Sequence, residues 1–300
     1  MLSLLAWSLL LAQPGPTAGG DDLCRRCRPP RTTGLLAHPK IKEASGLAAS
    51  AIHPGVFYVH NDAGDRPRFF AIDQAGRDLG MFDVEGAPLS DWEDAAVGPC
   101  PAGSCLYIAD TGETGSRADY AILRIPEPSE IGRGHHPAIA ERFVFRYPDG
   151  QHDAESLFVH PKTGVLTLVT KHKKKPSVVF ELELSGAPGA ERIAKKVGEL
   201  RPAVGVNKLT GGSVRPDARG LLLRSYSHLF YYPLQPTQTV AEALLHGPAC
   251  FLSSAEPSGG EAVAWVPRED AFLTLSEGRG SEVHRFDCAK TSTATGQGAR

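Results

Sequence analysis

Short segments in which apolar and polar residues alternate follow one another from residue 44 to residue 288. They are rich in β-branched and aromatic residues and are bounded by Gly, Pro, Asn and Asp, which is the pattern of β-strands joined by tight turns. No stretch of convincing length repeats its apolar residues with the period of a helix. The pattern therefore predicts an all-β protein.

The predicted strands fall into five units with one internal order, in which a small-residue strand precedes an apolar strand and an aromatic-rich strand. The units begin at Ser45, Glu93, Glu155, Ser213 and Glu261, at intervals of 48, 62, 58 and 48 residues. Repeats of about 40–50 residues with about four strands each are typical of β-propellers. We therefore expect a five-bladed β-propeller over residues 32–288.

Further segments complete the predicted blades. Outer strands are expected at 77–84 and 141–147, and residues 127–140 form an insertion that lengthens the second interval. The fifth unit has no clear outer strand, so an N-terminal strand within residues 32–41 is expected to close the ring. A sixth blade built from 127–150, a β-sandwich and a pair of sandwiches are the alternatives, but the register of the five units favours five blades.

The N-terminus predicts export. Leu2–Ala12 is an apolar run of 11 residues, too short to span a bilayer and suited to a signal peptide, which we place at residues 1–20. A buried N-terminal helix is the alternative. We expect a cysteine-containing linker at 21–31, a disordered tail at 289–300, and a secreted or periplasmic protein.

Six cysteines support that localisation, because an even number in an exported chain indicates disulfides. Cys100 and Cys105 flank a Pro-Ala-Gly-Ser turn and are expected to pair. The other four are expected to pair among themselves near the closing blade, with three pairings open; a bond from Cys24 or Cys27 to Cys288 would lock the closure.

Composition and charge limit the partners. The formal net charge of -2 argues against a nucleic-acid-binding protein, and 41% hydrophobic residues argue against a polytopic membrane protein. We expect a monomer without a membrane span in the mature chain, whose partner is a small anionic ligand or a protein. Walker A, His-Glu-x-x-His and Gly-x-Ser-x-Gly motifs are absent from the sequence, so it does not support the corresponding chemistries.

Polar residues recur at equivalent places in the five units. The first strand of a blade lines the channel and the second returns antiparallel to it, so first-strand starts and second-strand ends share one channel mouth. The first-strand starts are Ser45, Glu93, Glu155, Ser213 and Glu261, and the second-strand ends are Asn61-Asp62, Asp110-Thr111, Thr170-Lys171, Ser225-Tyr226 and Ser276-Glu277.

Carboxylates that converge on one axis repel one another unless a cation neutralises them, and oxygen ligands suit calcium. We therefore expect one axial calcium held by Glu93, Glu155 and Glu261, with help from Ser45 and Ser213. The alternative is that each polar residue caps its own turn and water fills the channel.

The Ser, Glu, Glu, Ser, Glu order resembles the calcium ring of the five-bladed calcium-activated nucleotidases, the apyrases. The matching segments are EASGL (43–47), WEDAAV (92–97), AESLFV (154–159), GGSV (211–214) and GEAVAW (260–265). The resemblance implies a calcium ion in the tunnel and a carboxylate, here Asp62, that aids attack on a phosphate. DWEDAAVGP, LYIADTG, YPDGQHDAESLFV and SGGEAVAW also resemble exported bacterial propellers of uncharacterised function, which implies a fold and no activity.

Two functions of different class follow. The first is calcium-dependent hydrolysis of a phosphoester or phosphoanhydride, with Asp62 or Asp110 as general base. Its substrate-binding residues would be Asn61, Lys171, Tyr226 and Glu277. The second is a binding or interaction propeller with structural calcium; glycoside hydrolysis by two carboxylates is a third possibility.

Three other features have a functional and a simpler interpretation. The basic run 171–175 is either an anion-attracting loop or a solvated hairpin tip. His135-His136 is a metal candidate or part of an exposed loop. His60 is a candidate general base or a structural histidine.

Overall fold

The computed structural model describes residues 23–88, 91–113, 117, 120–200, 208–255 and 259–290. It confirms the predicted fold, because five small sheets are arranged as the blades of a β-propeller. The expected signal peptide at 1–20 lies outside the described residues, as does the tail beyond residue 290, so both stay predictions. No described helix is long and apolar enough to cross a membrane.

The elements follow one another in blade order. The N-terminal segment and blade 1 contain α1 (Leu23–Arg26), β1 (Arg31–Leu35), β2 (Ala44–Ala49), β3 (Val56–Asn61), β4 (Arg68–Asp73) and β5 (Asp78–Glu85). Blade 2 and an added strand contain β6 (Trp92–Cys100), β7 (Gly103–Asp110), β8 (Tyr120–Pro126), β9 (His135–Ile139) and β10 (Glu141–Phe145). Blade 3 contains β11 (Ala154–Val159), β12 (Leu166–Thr170), β13 (Ser177–Leu182) and β14 (Lys195–Leu200). Blade 4 contains β15 (Leu209–Val214), β16 (Gly220–Ser225), β17 (His228–Pro233), α2 (Val240–His246) and β18 (Cys250–Ser253), and blade 5 contains β19 (Gly260–Trp265), β20 (Ala271–Ser276) and β21 (Glu282–Asp287).

The innermost strands form a closed ring. Strand β2 contacts β6, β6 contacts β11, β11 contacts β15, β15 contacts β19, and β19 returns to β2. Each blade then proceeds outward through antiparallel pairs, so the five inner strands begin at the same end of the channel. We call that end the channel mouth.

Face-to-face stacking of the blades explains the strand composition. Strands β12 and β16 are buried at every residue, because both of their faces pack against neighbouring sheets. Between blades 1 and 2, the Phe69 ring stacks on Phe82 with centroids 4.8 Å apart and meets Tyr58 edge-on. Burying each such side chain contributes roughly 2–3 kcal/mol from its apolar area.

The ring closes as expected through the N-terminal strand. Strand β1 is the outer strand of blade 5 and pairs antiparallel with β21. Cys24 of α1 is bonded to Cys250, and Cys27, directly after α1, is bonded to Cys288, so this N-terminal segment is tied covalently to blades 4 and 5. The predicted Cys100–Cys105 bond is confirmed across the β6–β7 hairpin.

Residues 127–140, expected as an insertion in the second unit, contain a strand. Within them, β9 pairs in parallel with β5 and gives blade 1 a fifth strand. Strand β10 follows directly after them and completes blade 2. The alternative of a sixth blade from 127–150 is therefore wrong. His136 lies against Phe82 with ring centroids 5.2 Å apart and bonds to the Gly132 carbonyl, which accounts for this residue structurally.

Helix α2 was not expected from the hydrophobic pattern, because it has only seven residues. Its start is fixed by a capping box, in which Thr239 and Glu242 bond each other's backbone amides. Ala241 and Leu244 bury the inner face of the helix against blades 3 and 4.

Glu127 joins blades 1 and 2 at the end of the channel opposite the mouth. Its buried carboxylate accepts hydrogen bonds from the hydroxyls of Ser50, Ser104 and Tyr58. The backbone N–H of Ala51 also donates to it. Buried carboxylates are costly unless donors surround them, and here neutral donors provide the compensation.

Candidate functional site

Each inner strand carries a β-bulge close to its first residue. A bulge places an extra residue on one strand and redirects its side chain. Register thus assigns equivalent positions at the mouth: Ser45, Glu93, Glu155, Thr210 and Glu261 from the first strands, and Asp62, Thr111, Lys171, Tyr226 and Glu277 after the second strands.

Ser213 does not occupy the expected position, because β15 begins at Leu209 rather than at Ser213. The equivalent residue is Thr210, whose hydroxyl donates to the Gly260 carbonyl at 2.8 Å. Ser213 lies three residues further along the strand, where its hydroxyl accepts a bond from the Trp265 N–H. The Gly-Gly pair at 211–212 shifted the fourth unit when the five units were aligned by sequence. Only glycine fits at position 211, because a Cβ there would lie 2.5 Å from the Glu261 carbonyl oxygen.

Ser45 is in the expected place and joins two blades. Its buried hydroxyl donates to the backbone carbonyl of Glu93 at 2.5 Å. Thr111 makes a similar bond from blade 2 to the Ala154 carbonyl of blade 3. The hydroxyl side chains at the mouth thus connect inner strands to their neighbours.

The carboxylates at the mouth divide into two groups. We call Asp62, Asp91 and Glu93 the acidic side; one oxygen from each lies within 4.8 Å of the others. Glu93 is 5% exposed, and no donor among the described residues bonds its carboxylate. Glu93 also lies within 4.8 Å of oxygens of Asp153 and Glu155, so it links the acidic side to blade 3.

Gly112 permits this close approach. A Cβ at that position would lie 1.9 Å from the Glu93 carboxylate oxygen and 2.4 Å from the Asp91 carboxyl carbon. The Gly112 N–H and the Thr111 N–H both donate to the Asp91 backbone carbonyl, at 3.2 and 3.1 Å. The turn after β7 therefore holds Asp91 and Glu93 side by side.

We call Glu155, Glu261 and Glu277, with the ammonium of Lys171, the lysine side. Lys171 Nζ lies 2.6 Å from Glu155 Oε2 and 5.4 Å from the centre of the Tyr226 ring. Glu261 is buried, and burial together with repulsion from Glu277 raises the pKa of its carboxyl. Lys171 attracts both Glu155 and Glu261, so one ammonium serves two blades.

Burial dominates the electrostatics of the mouth. It raises the pKa of Glu93 well above the ordinary value, and repulsion from Glu155, Asp62 and Asp91 raises it further. Burial likewise raises the pKa of Glu155 to about 9 and that of Glu261 to about 8, although Lys171 opposes both shifts. The carboxylates raise the pKa of Lys171 above its usual range despite burial. The mouth thus favours binding of cations, either protons or metal ions.

The predicted base Asp110 and the predicted substrate ligand Asn61 are engaged elsewhere. Asp110 is fully buried, and its carboxylate accepts a bond from Arg117 at 2.8 Å. The Asn61 amide bonds the backbone of residues 40, 42 and 43 and the Asp65 carboxylate. His60 is buried edge-on against Trp92, and burial lowers its pKa to about 4.

Basic groups flank the lysine side. The Lys208 ammonium lies 4.6 Å from the centre of the Tyr226 ring, which Lys171 also contacts. Lys173, Lys174 and Lys175 are exposed in the β12–β13 loop. Beside Asp62 there is a pocket of only about 10 Å³ lined by Arg66 and Trp92, which is room for one water.

Sequence reasoning missed Asp91, Asp153 and Asp94. Asp91 and Asp153 stand two residues before the mouth glutamates of blades 2 and 3, so an Asp-x-Glu repeat carries the signal for them. Asp94 is fully buried and accepts hydrogen bonds from the backbone N–H groups of Leu157 and Gly212 at 2.8 and 2.9 Å. It therefore connects blades 2, 3 and 4 below the mouth.

The comparisons with known proteins concern the fold alone. A glutaminyl cyclase from Myxococcus xanthus is similar with a TM-score of 0.50 and 12% identity, over 87% of this chain and 97% of that chain. A gluconolactonase from Xanthomonas campestris is similar with a TM-score of 0.47 and 13% identity, over 88% of this chain and 96% of that chain. No family model and no curated protein matches the sequence, so the resemblance to the apyrases stays a prediction.

Proposed function

We propose that this protein is an exported, monomeric β-propeller that binds one calcium ion on the acidic side of its channel mouth. The observation that carries the proposal is Glu93, a 95%-buried carboxylate without a donor among the described residues and within 4.8 Å of Asp62 and Asp91 oxygens. Burying a charge in this way is costly unless a cation compensates it. A donor set made only of carboxylate oxygens suits a hard cation such as calcium.

The acidic side fits a cation better than the expected axial set of Ser45, Glu93, Glu155, Ser213 and Glu261. Lys171 already compensates Glu155 and Glu261, and Ser213 lies elsewhere. Asp62 and Asp91 replace them as the proposed ligands beside Glu93. Export is supported by three disulfides, which persist in oxidising compartments.

Calcium-dependent hydrolysis of a phosphoester or phosphoanhydride is the second candidate function. Bound calcium would supply a Lewis acid that polarises a phosphoryl oxygen. Exposed Lys173–Lys175 and Arg66, with half-buried Lys208, would attract the anionic substrate. Asp62 is the better base candidate, because Asp110 is buried and ion-paired with Arg117.

The small pocket and the ion pair of Lys171 favour the binding function over the hydrolase. Pockets for small molecules usually have volumes of about 300–1,000 Å³, whereas the one beside Asp62 has about 10 Å³. Lys171 is held by Glu155 and so differs from a free substrate-binding lysine. A non-catalytic propeller with structural calcium therefore agrees better with the geometry.

Calorimetric titration of calcium into EDTA-treated protein tests the binding function. We expect one site in the wild type, none in Glu93→Gln, and an unchanged site in Glu130→Gln, because Glu130 is an exposed glutamate outside the mouth. Absence of binding to the wild type would contradict the proposal.

The same protein with calcium or EDTA is then screened against nucleotides, phosphomonoesters and oligosaccharides. Asp62→Asn separates the two roles of that residue. Loss of calcium binding indicates a ligand, whereas intact binding with lost turnover indicates a base.

A further inference from the structure

A cavity of about 330 Å³ lies between blade 5 and blade 1, on the face of the propeller opposite the channel mouth. The turns β2–β3 and β4–β5 that border it lie on that face, because β2 begins at the mouth and the next strands alternate in direction. Three arginines line the cavity, Arg31, Arg77 and Arg285, together with a single carboxylate, that of Asp73. Pockets for small molecules usually have volumes of about 300–1,000 Å³, so this cavity can take a small ligand. We call it the arginine pocket.

The walls of the arginine pocket are joined to each other across the two blades. The Thr33 hydroxyl of β1 donates to the Gln74 carbonyl of blade 1 at 2.5 Å. The two backbones are in direct contact beside this bond, since a Cβ on Gly34 would collide with the Ala75 carbonyl oxygen. The pocket is therefore formed before a ligand enters, which lowers the cost of binding.

Arg285 forms the buried floor of the pocket. It is the direct cross-strand partner of Arg31, so the two side chains share one face of blade 5. Asp287 lies between them and accepts a bond from Nε of each, at 2.7 Å from Arg285 and 3.1 Å from Arg31. The terminal nitrogens of Arg285 donate to Gln74 and Glu269, both at 2.5 Å. Arg285 is only 8% exposed, and its role is to hold the floor together.

Arg31 and Arg77 are held differently, because a carboxylate bonds each guanidinium at Nε alone. Arg77 Nε donates to Asp73 Oδ2 at 2.5 Å, as Arg31 Nε does to Asp287. Among the described residues, no acceptor bonds Nη1 or Nη2 of either arginine, and the side chains are 60% and 77% exposed. Each carboxylate thus orients a guanidinium and leaves its two terminal nitrogens to a ligand.

The charges around the pocket balance. Asp73, Asp287 and Glu269 are paired with the three arginines, so the pocket has no excess of positive charge to attract anions from a distance. Recognition therefore depends on the oriented N–H groups of Arg31 and Arg77, which approach one cavity from two different blades.

We propose that the arginine pocket binds the phosphate or sulfate group of a small molecule. A guanidinium pairs with two oxygens of one acceptor through two parallel hydrogen bonds. A planar carboxylate has one such pair of oxygens, whereas a tetrahedral oxyanion has several and can accept both arginines at once. The proposal concerns the face opposite the calcium site and does not depend on that site.

Calorimetric titration with inorganic phosphate and with sulfate tests the proposal. The buffer contains EDTA, so calcium at the mouth plays no part. We expect one site with a Kd below about 1 mM for at least one of the two anions, and the tighter of them shows which group the pocket prefers. Acetate should bind at least about tenfold more weakly, because it can satisfy only one guanidinium.

Variants of the two arginines show whether both take part. Arg31→Gln and Arg77→Gln should each weaken binding at least about tenfold. Arg77→Lys keeps the charge but loses the paired N–H groups, so it should weaken binding about as much as Arg77→Gln. Arg219→Gln is the matched control, because Arg219 is exposed in the β15–β16 turn on the same face of blade 4, and it should bind like the wild type.

Both arginines form exposed ion pairs, which contribute little to stability, so the variants should unfold close to the wild type. Lack of binding of both anions to the wild type would overturn the inference, as would acetate that binds equally tightly. Wild-type affinity in Arg31→Gln, Arg77→Gln or Arg77→Lys would also overturn it. Calcium titration of Arg77→Gln should match that of the wild type, so the two sites are tested separately.

Discussion

Glu93→Gln is the substitution that most directly tests the charge imbalance of the mouth. The change keeps the size of the side chain and removes the charge that Asp62, Asp91 and Glu155 repel. In EDTA we expect the variant to unfold at a higher temperature than the wild type, because the repulsion is relieved. In calcium we expect the order to reverse, because the variant has lost a ligand.

The magnitude follows from the separations. The carboxylate oxygens of the acidic side lie within 4.8 Å of one another, and two unit charges at that upper limit repel by about 3 kcal/mol at an effective dielectric constant of about 20. Protonation relieves part of this repulsion at neutral pH. In EDTA we therefore expect the free energy of unfolding of Glu93→Gln to exceed that of the wild type by about 1–3 kcal/mol. Calcium at 100 times its Kd stabilises the wild type by about 2.7 kcal/mol. For a chain of this size, each kcal/mol raises the unfolding temperature by about 2 °C, so calcium should raise that of the wild type by about 5 °C.

Differential scanning calorimetry at pH 8 measures both effects with the disulfides intact. The rise in calcium should fall below about 1 °C in Glu93→Gln and remain intact in Glu130→Gln, the exposed control. Equal transitions of the wild type in calcium and EDTA would refute the reasoning. So would a Glu93→Gln protein that keeps the full calcium-induced rise.

Three further predictions concern other parts of the ring. Burial raises the pKa of Glu261 in the folded protein to about 8. The contribution of its protonated carboxyl to the free energy of unfolding is therefore complete below the pKa of this group in the unfolded chain, and it is lost as pH rises through about 8. We expect the free energy of unfolding in EDTA to fall by a few kcal/mol between pH 5 and pH 8.5, and chemical denaturation of Glu261→Gln should show a flatter profile. Glu127→Ala should lower the free energy of unfolding by about 2–4 kcal/mol, since it leaves the donors of Ser50, Tyr58 and Ser104 unsatisfied; calcium affinity should not change, and a large change in it would contradict the separation of the two ends. Replacing Cys27 and Cys288 by Ser should cost about 3–5 kcal/mol in urea unfolding and more than the same change at Cys100 and Cys105, because the closed loop is far longer; equal losses would argue against that account.

The fold was predictable because its signal is repeated. Each blade contains three or more apolar strands separated by turn residues, so five weak local patterns support one another. Closure by β1 was predictable for a related reason, since a blade without an outer strand has an unpaired edge that another strand must cover. Strand β9 was missed because its pairing with β5 is parallel and crosses from blade 2 to blade 1.

The candidate site was less predictable than the fold. The glutamates Glu93, Glu155 and Glu261 were found from their equivalent positions, because unit starts and blade starts nearly coincide. Ser213 was placed wrongly because two glycines before it hid the bulge at Thr210. The ion pair of Lys171 with Glu155 could not be read from the pattern, since charge compensation depends on which side chains meet across the channel.

The disulfides that attach the N-terminal segment to blades 4 and 5 limit the order in which the disulfides of this protein can form. Cys24 and Cys27 are synthesised first, but their partners follow 226 and 261 residues later. Oxidation in the order of synthesis would join Cys24 to Cys27, and only the Cys100–Cys105 bond would form correctly between consecutive cysteines. The first two thiols must therefore stay reduced until translation is complete, or a wrong bond must be reshuffled by thiolate attack. Correct maturation thus requires either late oxidation of these two thiols or isomerisation of a wrong bond before the ring closes.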